Sequence, residues 1–309
     1  MDRWTPVVRQ KLYRFRRKDG APVSACTVVV PTPRRPRALA ACLAGLAAQV
    51  DPPPGVEVVV VDDGGGLPLG PVIDAVRDRL DVTLVTQANA GPAAARNAGA
   101  ERARGALLAF TDDDCVPRPD WLRTLADLAA RNPGAAVSGR TVNALRDNPY
   151  SAAAQLVIDV GYEQTGYGSR GVPFFTTNNL LVPAEAFRAL TGFDTGFRTA
   201  EDRDFCARWA ASGRRFVHAR DALVDHAHAL GLWGFLRLHY EYGRGACRFH
   251  RAQASRGGRV AVEPGYYLAL ARRPLHEPPR RRAGLAGLLA AWLLATTAGF
   301  ARELAGGWR

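Results

Sequence analysis

Three aspartates in succession, Asp112, Asp113 and Asp114, close the apolar run "LLAF" in the stretch "LLAFTDDDCVPRPDW". Adjacent carboxylates repel one another, and two settings make such a cluster tolerable. One is a solvated turn, since Asp is a common turn former. The other is a divalent cation site, in which Mg2+ or Mn2+ takes one or two carboxylates together with substrate phosphates. A metal so held can neutralise the charge that develops on a departing pyrophosphate.

A second acidic pair, Asp62 and Asp63, follows four valines and precedes three glycines. It reads as a strand-ending turn, or as carboxylates that accept hydrogen bonds from a nucleobase imide or a ribose. The order is wrong for a dinucleotide fingerprint, because GxGxxG is absent and the acids come before the glycines. Glu201 and Asp202 open a predicted helix, where acids compensate the helix dipole or, at a substrate hydroxyl, one of them acts as a general base. His226 and His228 lie at a strand exit, as surface residues or as metal ligands. The spacing Asp112-x-Asp114-x-Val116 also fits the nucleophile loop of haloacid-dehalogenase-type phosphatases. That loop usually follows the first strand of its domain, whereas at least three predicted strands come earlier here.

The elements around these residues alternate. "TVVVP" (27–31), "VEVVVV" (56–61), "VTLVTQ" (82–87) and "ALLAFT" (106–111) read as strands. "RALAACLAGLAAQV", "PVIDAVRDRL" and "GPAAARNAGAERARG" read as the helices between them. Alternation with short connections predicts a parallel sheet covered on both faces, with ligands at the carboxyl ends of the strands. The polar residues of interest sit at those ends. Beyond residue 132 the pattern is less regular: "FFTTNNLLVP" reads as a strand, "AEDRDFCARWAASG" as a helix, "RRFVHARDALVDHAH" as a strand and its exit, and 231–253 as an amphipathic helix. A Pro- and Arg-rich hinge is expected at 272–282.

Composition narrows the class. The 309-residue chain is 47% hydrophobic, with 41 Lys and Arg against 29 Asp and Glu. This fits a globular protein and excludes a largely disordered one. Residues 1–20 hold seven basic and two acidic residues, and 270–309 hold seven and two. Basic ends suit an anionic membrane surface, and no zinc-finger or RNA-recognition motif supports a nucleic-acid partner. The five cysteines form no CxxC pair, which argues against a metal cluster or disulfide framework and for a reducing cytoplasm. No apolar h-region marks a secretory signal at the N-terminus.

Taken in order, "VVVPTPRRP", "VVVVDDGG", "NAGPAAARNAG", "FTDDDCVPRPDWL", "TTNNLLVPAEAF" and "GFDTGFRTAEDRDFCARWAASG" resemble the family 2 glycosyltransferases, inverting enzymes of the GT-A fold. The likeness covers about residues 24–228. It implies a Rossmann-like, mostly parallel α/β sheet flanked by helices. It also implies a nucleotide-diphosphate sugar (UDP-, dTDP- or GDP-linked), Mg2+ or Mn2+, and transfer to an acceptor hydroxyl, the acceptor being unknown. Pro31 and Thr32 match the strand end that touches the base, and Asp63 the acid that pairs with it. Arg96 and Asn97 match the helix start beside base and phosphates. Asp112 and Asp114 are the ends of the DxD motif, with Asp114 the expected direct ligand and Asp113 expected on the ribose. Asp202 matches the catalytic base, His226 a His that completes the metal site in some members, and Asn178, Asn179 and Glu201 the vicinity of donor sugar or acceptor.

Several positions depart from the family pattern. "PTPRRP" stands in place of Pro-Thr-Tyr-Asn-Arg, "DDGGG" lacks the Ser common after the first Gly, and "CRFHRA" only loosely echoes the QxxRW motif of processive synthases. A noncatalytic nucleotide-sugar-binding scaffold of the same fold is the rival reading. Residues 283–301 hold no charge in 19 positions, with Arg280, Arg281 and Arg282 just before them. That length just meets the minimum for a spanning helix, and a buried or interfacial helix is the alternative. The organisation expected from sequence is a basic extension at 1–22, a GT-A domain at 23–230, a basic amphipathic helical region at 231–282 and an apolar helix at 283–301. The expected location is the cytoplasmic face of the cell membrane, peripheral or single-pass.

Overall fold

The computed structural model describes residues 13–14, 26–66, 68–165, 175–258 and 264–306. The basic extension expected at 1–22 lies outside them, apart from Tyr13–Arg14. Two compact units interleave along the chain, unlike the serial boundaries expected from the sequence. The first comprises Met1–Thr141, Thr176–Thr195 and Arg214–Asp225, the second Val142–Phe175, Gly196–Gly213 and His226–Arg309.

A nine-stranded sheet organises the first unit. In chain order its elements are β1 (Tyr13–Arg14), β2 (Cys26–Thr32), α1 (Pro36–Ala47), β3 (Glu57–Asp63), α2 (Gly70–Asp74), β4 (Asp81–Gln87), α3 (Pro92–Arg102), β5 (Leu107–Phe110), β6 (Cys115–Pro117), α4 (Trp121–Arg131) and β7 (Ala136–Asn143). A 3-10 turn at Thr177–Asn179, β8 (Leu180–Pro183), α6 (Ala184–Ala189) and β9 (Phe216–His226) complete it. The strand order is β1-β4-β3-β2-β5-β8-β7-β9-β6. Strands β4, β3, β2 and β5 are parallel neighbours, whereas β8 runs antiparallel to both β5 and β7.

The parallel centre follows directly from its residues. Every position of β2 and of β3 is buried, as expected where valine-rich strands are covered on both faces. Each fully buried valine contributes about 1.5–3 kcal/mol relative to exposure. α3 lies close against this layer because residue 99 is glycine: a Cβ there would come within 2.4 Å of Val29 Cγ1. The chain runs β2, β3, β4 outward on one side and then returns to place β5 on the other side of β2. Such a reversal opens a crevice at the carboxyl ends of the two strands. Thr32 ends β2 at that crevice, and Asp112–Asp114 follow β5 into it.

Two elements differ from the sequence expectation. The helix expected over 71–80 is regular only through Asp74; beyond it, Val76 N and Arg79 N donate to carbonyls three residues back, tightening the chain into turns. The strand expected over "FFTTNNLLVP" is confined to Leu180–Pro183, because the two asparagines fall in the 3-10 turn.

The second unit is helical: α5 (Pro149–Thr165), α7 (Glu201–Ala211), α8 (Leu232–Ser255), α9 (Pro264–Arg272), a 3-10 turn at Arg273–His276 and α10 (Pro279–Ala305). The hinge expected at 272–282 is therefore structured, and Arg280–Arg282 fall in the first turns of α10. Ala153, Val160, Phe235, Leu270, Leu289 and Trp292 form its apolar core. α8 and α10 meet backbone to backbone. A Cβ on Gly243 would lie 2.0 Å from Thr296 O, and one on Gly299 would lie 1.9 Å from Tyr240 O. Glu303 anchors the far end of this pair through Arg244 (2.8 Å) and Arg248 (2.6 Å). His239, buried in this unit between aromatic rings, is pulled down to about 4 by burial and then by the nearby charge of His228.

Candidate active site

The aspartate triplet is met from three directions. Arg96, on α3 and 4% exposed, donates Nη2 to Asp112 Oδ1 at 2.6 Å. Thr32 Oγ1 donates to Asp113 Oδ2 at 2.7 Å. Arg35, in the turn before α1, forks onto Asp113 through Nε (3.1 Å to Oδ2) and Nη2, and donates Nη1 to Asp114 Oδ2 at 2.6 Å. Two guanidinium groups thus face three carboxylates, which is how the self-repulsion of "DDD" is contained in this structure. Planar bidentate pairing is the strong form of such contact.

The three carboxylates are not equivalent. The Asp112 side chain is 25% exposed and that of Asp114 10%, while Asp113 is sealed from solvent. Burial pushes the Asp113 carboxyl up to about 6, against the opposing pull of Arg35 and of the Thr32 hydroxyl. Behind the loop, Cys42 and Cys115 are buried thiols held protonated, first by burial and then by the neighbouring aspartates. Asp112 and Asp114, the two with solvent access, are the carboxylates that could hold a hard cation. Asp113, expected at a ribose, accepts from Arg35 and Thr32 on its two oxygens and so fastens the loop. Thr32, expected at the strand end that touches the base, gives its hydroxyl proton to this contact.

Asp63 ends β3 and holds the approach to α3. Its Oδ1 accepts from Gln87 Nε2 (2.9 Å) and Ala90 N (2.7 Å), and its Oδ2 from Gly91 N (2.9 Å). Arg34, in the left-handed region at φ 58, donates Nε and Nη2 to Gly64 O at 2.9 and 2.7 Å. This clasp joins the loop after β2 to the loop after β3. Pro31 pairs in register with Val61 beside it. Asp62 accepts from Gly65 N at 3.0 Å, and burial raises its carboxyl above the ordinary value.

Two asparagines prove to be fasteners. Asn97 donates Nδ2 to Phe193 O (2.7 Å) and accepts from Phe193 N (2.9 Å), tying α3 to the turn at Gly192. Both ends of its amide are engaged in this clasp, the NH2 through one of its two protons. Asn179 is fully buried, accepts from Trp121 Nε1 at 2.8 Å and donates to Arg140 O and Ala222 O. It locks α4, β7 and β9 together and has no polar proton left for a sugar. Its neighbour Asn178 is half-buried, with its Oδ1 accepting from Thr141 and Thr176.

The remaining expected residues belong to the second unit. Ala200 precedes α7 in the left-handed region at φ 72. Of the acids in the first turn, Glu201 is buried, and Asp204 is sealed between Arg208 (2.7 Å) and Arg256. Asp202 keeps partial solvent access while accepting from Arg203 N at 2.8 Å. His226 and His228 are half-buried, with ring centroids 5.2 Å apart.

The family model described as Glycosyl transferase family 2 matches residues 27–191. The chain belongs to that family. The match takes in Pro31 through Asn179 and so sets aside the phosphatase reading of Asp112-x-Asp114-x-Val116; it stops short of Glu201, Asp202 and His226. The pre-mycofactocin glycosyltransferase of Mycobacterium tuberculosis is 29% identical over 225 residues, covering 71% of this family 2 chain and 46% of that protein. The succinoglycan biosynthesis protein ExoO of Rhizobium meliloti is 40% identical over 210 residues, covering 68% and 50%. The chain thus spans about half the length of these curated relatives. Among solved structures, the mannosyltransferase PcManGT of Pyrobaculum calidifontis, in complex with GDP-Man and Mn2+, aligns over 94% of this chain and 80% of its own. The TM-score is 0.59 at 23% identity, and the shared fold is GT-A.

Sequence reasoning missed Arg35. The signal was present, an arginine three positions beyond the end of β2, but "PTPRRP" read as a departure from the family pattern. The contact that gives Arg35 its role joins residues 78 and 79 positions apart.

Proposed function

We propose that the chain is a metal-dependent inverting glycosyltransferase that moves a sugar from a nucleoside-diphosphate donor to an acceptor hydroxyl. The observation that carries the reading is the graded triplet at the end of β5: one carboxylate latched out of solvent, flanked by two that keep partial solvent access. Hard, partly exposed carboxylates suit Mg2+ or Mn2+, with Asp114 and Asp112 as ligands and His226 as a further one. Bound there, the ion would supply charge neutralisation to the departing nucleoside diphosphate. Arg96 steadies Asp112, and Arg35 steadies Asp114. Pro31 and Asp63 line the base pocket; Asp63 Oδ2 accepts one protein hydrogen bond and can accept another from a base N–H. Asn178 offers its NH2 to the sugar.

Asp202 is the base. It alone among the first-turn acids of α7 keeps solvent access, Glu201 and Asp204 both being buried. It takes the acceptor proton as the hydroxyl attacks the anomeric carbon, and inversion needs no second carboxylate acting as acid. The chain works at the cytoplasmic face of a membrane, held there by its second unit.

The deciding measurement is release of nucleoside diphosphate from UDP-, dTDP- and GDP-sugars with and without Mn2+. Metal-dependent release is expected with one of the three. Stabilisation by a nucleotide sugar without any release would instead mark a binding scaffold. If Asp202→Asn turns over like the wild type, the base assignment fails. If Asp114→Ala keeps full activity and unaltered metal dependence, the metal assignment fails.

A further inference from the structure

The outward face of α10 is unlike that of an ordinary surface helix. Between 283 and 301 its exposed positions are Ala, Gly, Leu and Thr only, and Leu293 and Leu294 are 45% and 72% exposed. A helix on a soluble globule turns charged residues outward; this one presents none over about 28 Å of its length. The adjoining segment continues the pattern with exposed Tyr267, Leu268 and Leu275. No acid occurs between Glu277 and Glu303, whereas Arg280, Arg281, Arg282 and Arg302 are all exposed. An apolar stripe bordered by arginines and an aromatic is the pattern of a surface that lies in an anionic lipid interface.

The inward face fixes how that surface can be used. Leu289 and Trp292 are buried in the core that α10 shares with α5, α8 and α9. Gly243 and Gly299 seat the α10 backbone directly on α8, and Gly243 lies between Glu241 and Arg244 in sequence. Thr296, the residue it touches, is inside the charge-free stretch. A bilayer-crossing α10 would either strip itself from this core or draw Glu241 and Arg244 into hydrocarbon, where ionised side chains are strongly disfavoured.

We infer that α10 lies in the plane of an anionic membrane surface, its Leu293–Leu294 face immersed and its Gly243–Gly299 face retained on the protein, and that it does not cross. The inference rests on the reading that the second unit docks on a membrane. That docking is tested by flotation of the full chain with phosphatidylglycerol–phosphatidylcholine vesicles, compared with phosphatidylcholine alone. Binding is expected to require phosphatidylglycerol and to weaken with salt. Leu293→Glu with Leu294→Glu, at exposed positions, should lower vesicle affinity at least about tenfold while leaving the circular dichroism melt in place.

The in-plane geometry is tested with Arg280→Cys and Leu304→Cys in sealed inside-out membrane vesicles from an expressing bacterium, treated with a membrane-impermeant maleimide. Both sites should react from the outside, with the parent chain and its buried cysteines as the blank. Reaction at one end only overturns the in-plane inference and leaves docking intact. Absence of flotation with either vesicle overturns docking and geometry together. So does a lipid-free dimer that the double glutamate variant dissociates, because a second copy would then cover the face.

Discussion

The two units differ in the apolar surface they expose, although both bury paired acids, Asp113 and Glu57 in the first and Asp204 in the second. In the first, charge is drawn inward: Asp113 and Glu57 are buried and met by Arg35 and Arg104, and Val50 is its one strongly exposed large apolar residue among those described. In the second, apolar surface is turned outward: Leu232, Trp233, Tyr242, Tyr267, Leu268, Leu275, Leu293, Leu294 and Leu304 are all exposed. Single exposed apolar residues need no explanation, but contiguous ones mark an interaction surface. The difference separates a unit that organises carboxylates around a crevice from one that exposes apolar side chains, the face proposed above to meet lipid. On the proposed reading the separation is not one of chemistry from anchoring, because the proposed base, Asp202, belongs to the second unit.

That last point carries the largest expected effect. Asp202→Asn should reduce turnover by roughly 10^2–10^4-fold, the usual range for loss of a general base, with nucleotide-sugar binding retained in a thermal-shift titration. A full-rate variant would return all the chemistry to the first unit. Next, Gly299→Val should destabilise the second unit by about 1–3 kcal/mol or more, since its added carbons meet the Tyr240 carbonyl. Calorimetry of the variant checks this, and an unchanged melt would mean that α8 and α10 do not depend on backbone contact.

Arg35→Gln probes the inward charge of the first unit. It leaves Asp113 buried with Thr32 as its remaining named donor, a loss of about 1–3 kcal/mol measurable by urea unfolding. Arg35→Lys should recover only part of it, because an ammonium cannot reproduce the fork. No change in the Gln variant would reduce the latch to a surface contact.

The smallest effect is in pH. The Asp113 carboxyl sits at about 6 in the folded chain, above its ordinary 3.8. Between those values the folded state binds the proton more tightly, so this group alone makes stability fall as pH rises through the window. Asp113→Asn removes that contribution. Unfolding of both proteins from about pH 4 to 6 should therefore show a wild-type advantage that shrinks as pH rises. A constant difference would show that the carboxylate is not desolvated.

How much of this was legible in the sequence depends on range. The valine runs of β2 and β3 and the break after "LLAF" are local patterns, and they located the sheet, its carboxyl ends and the acids there. What each polar atom does at those ends is not local. Asn97 and Asn179 stand at family positions, yet their amides bond to Phe193 and to Trp121, Arg140 and Ala222, partners fixed only when distant strands assemble. Arg35 was overlooked for the same reason. The glycines at 243 and 299 were equally silent: a glycine inside a helix shows its purpose only when another backbone arrives against it. The charge-free stretch at 283–301 could be seen at once, but its meaning waited on knowing which side faced α8.

The pairing of Arg35 and Arg96 with the triplet has a practical consequence. A loop whose acids are already balanced by the chain's own arginines does not depend on an ion to fold, in contrast to small metallodomains that collapse without theirs. Chelator is therefore expected to leave the melting temperature nearly unchanged, which a thermal melt with and without it checks. On the proposed metal dependence, adding the ion would start activity and removing it would stop it, with no refolding in between.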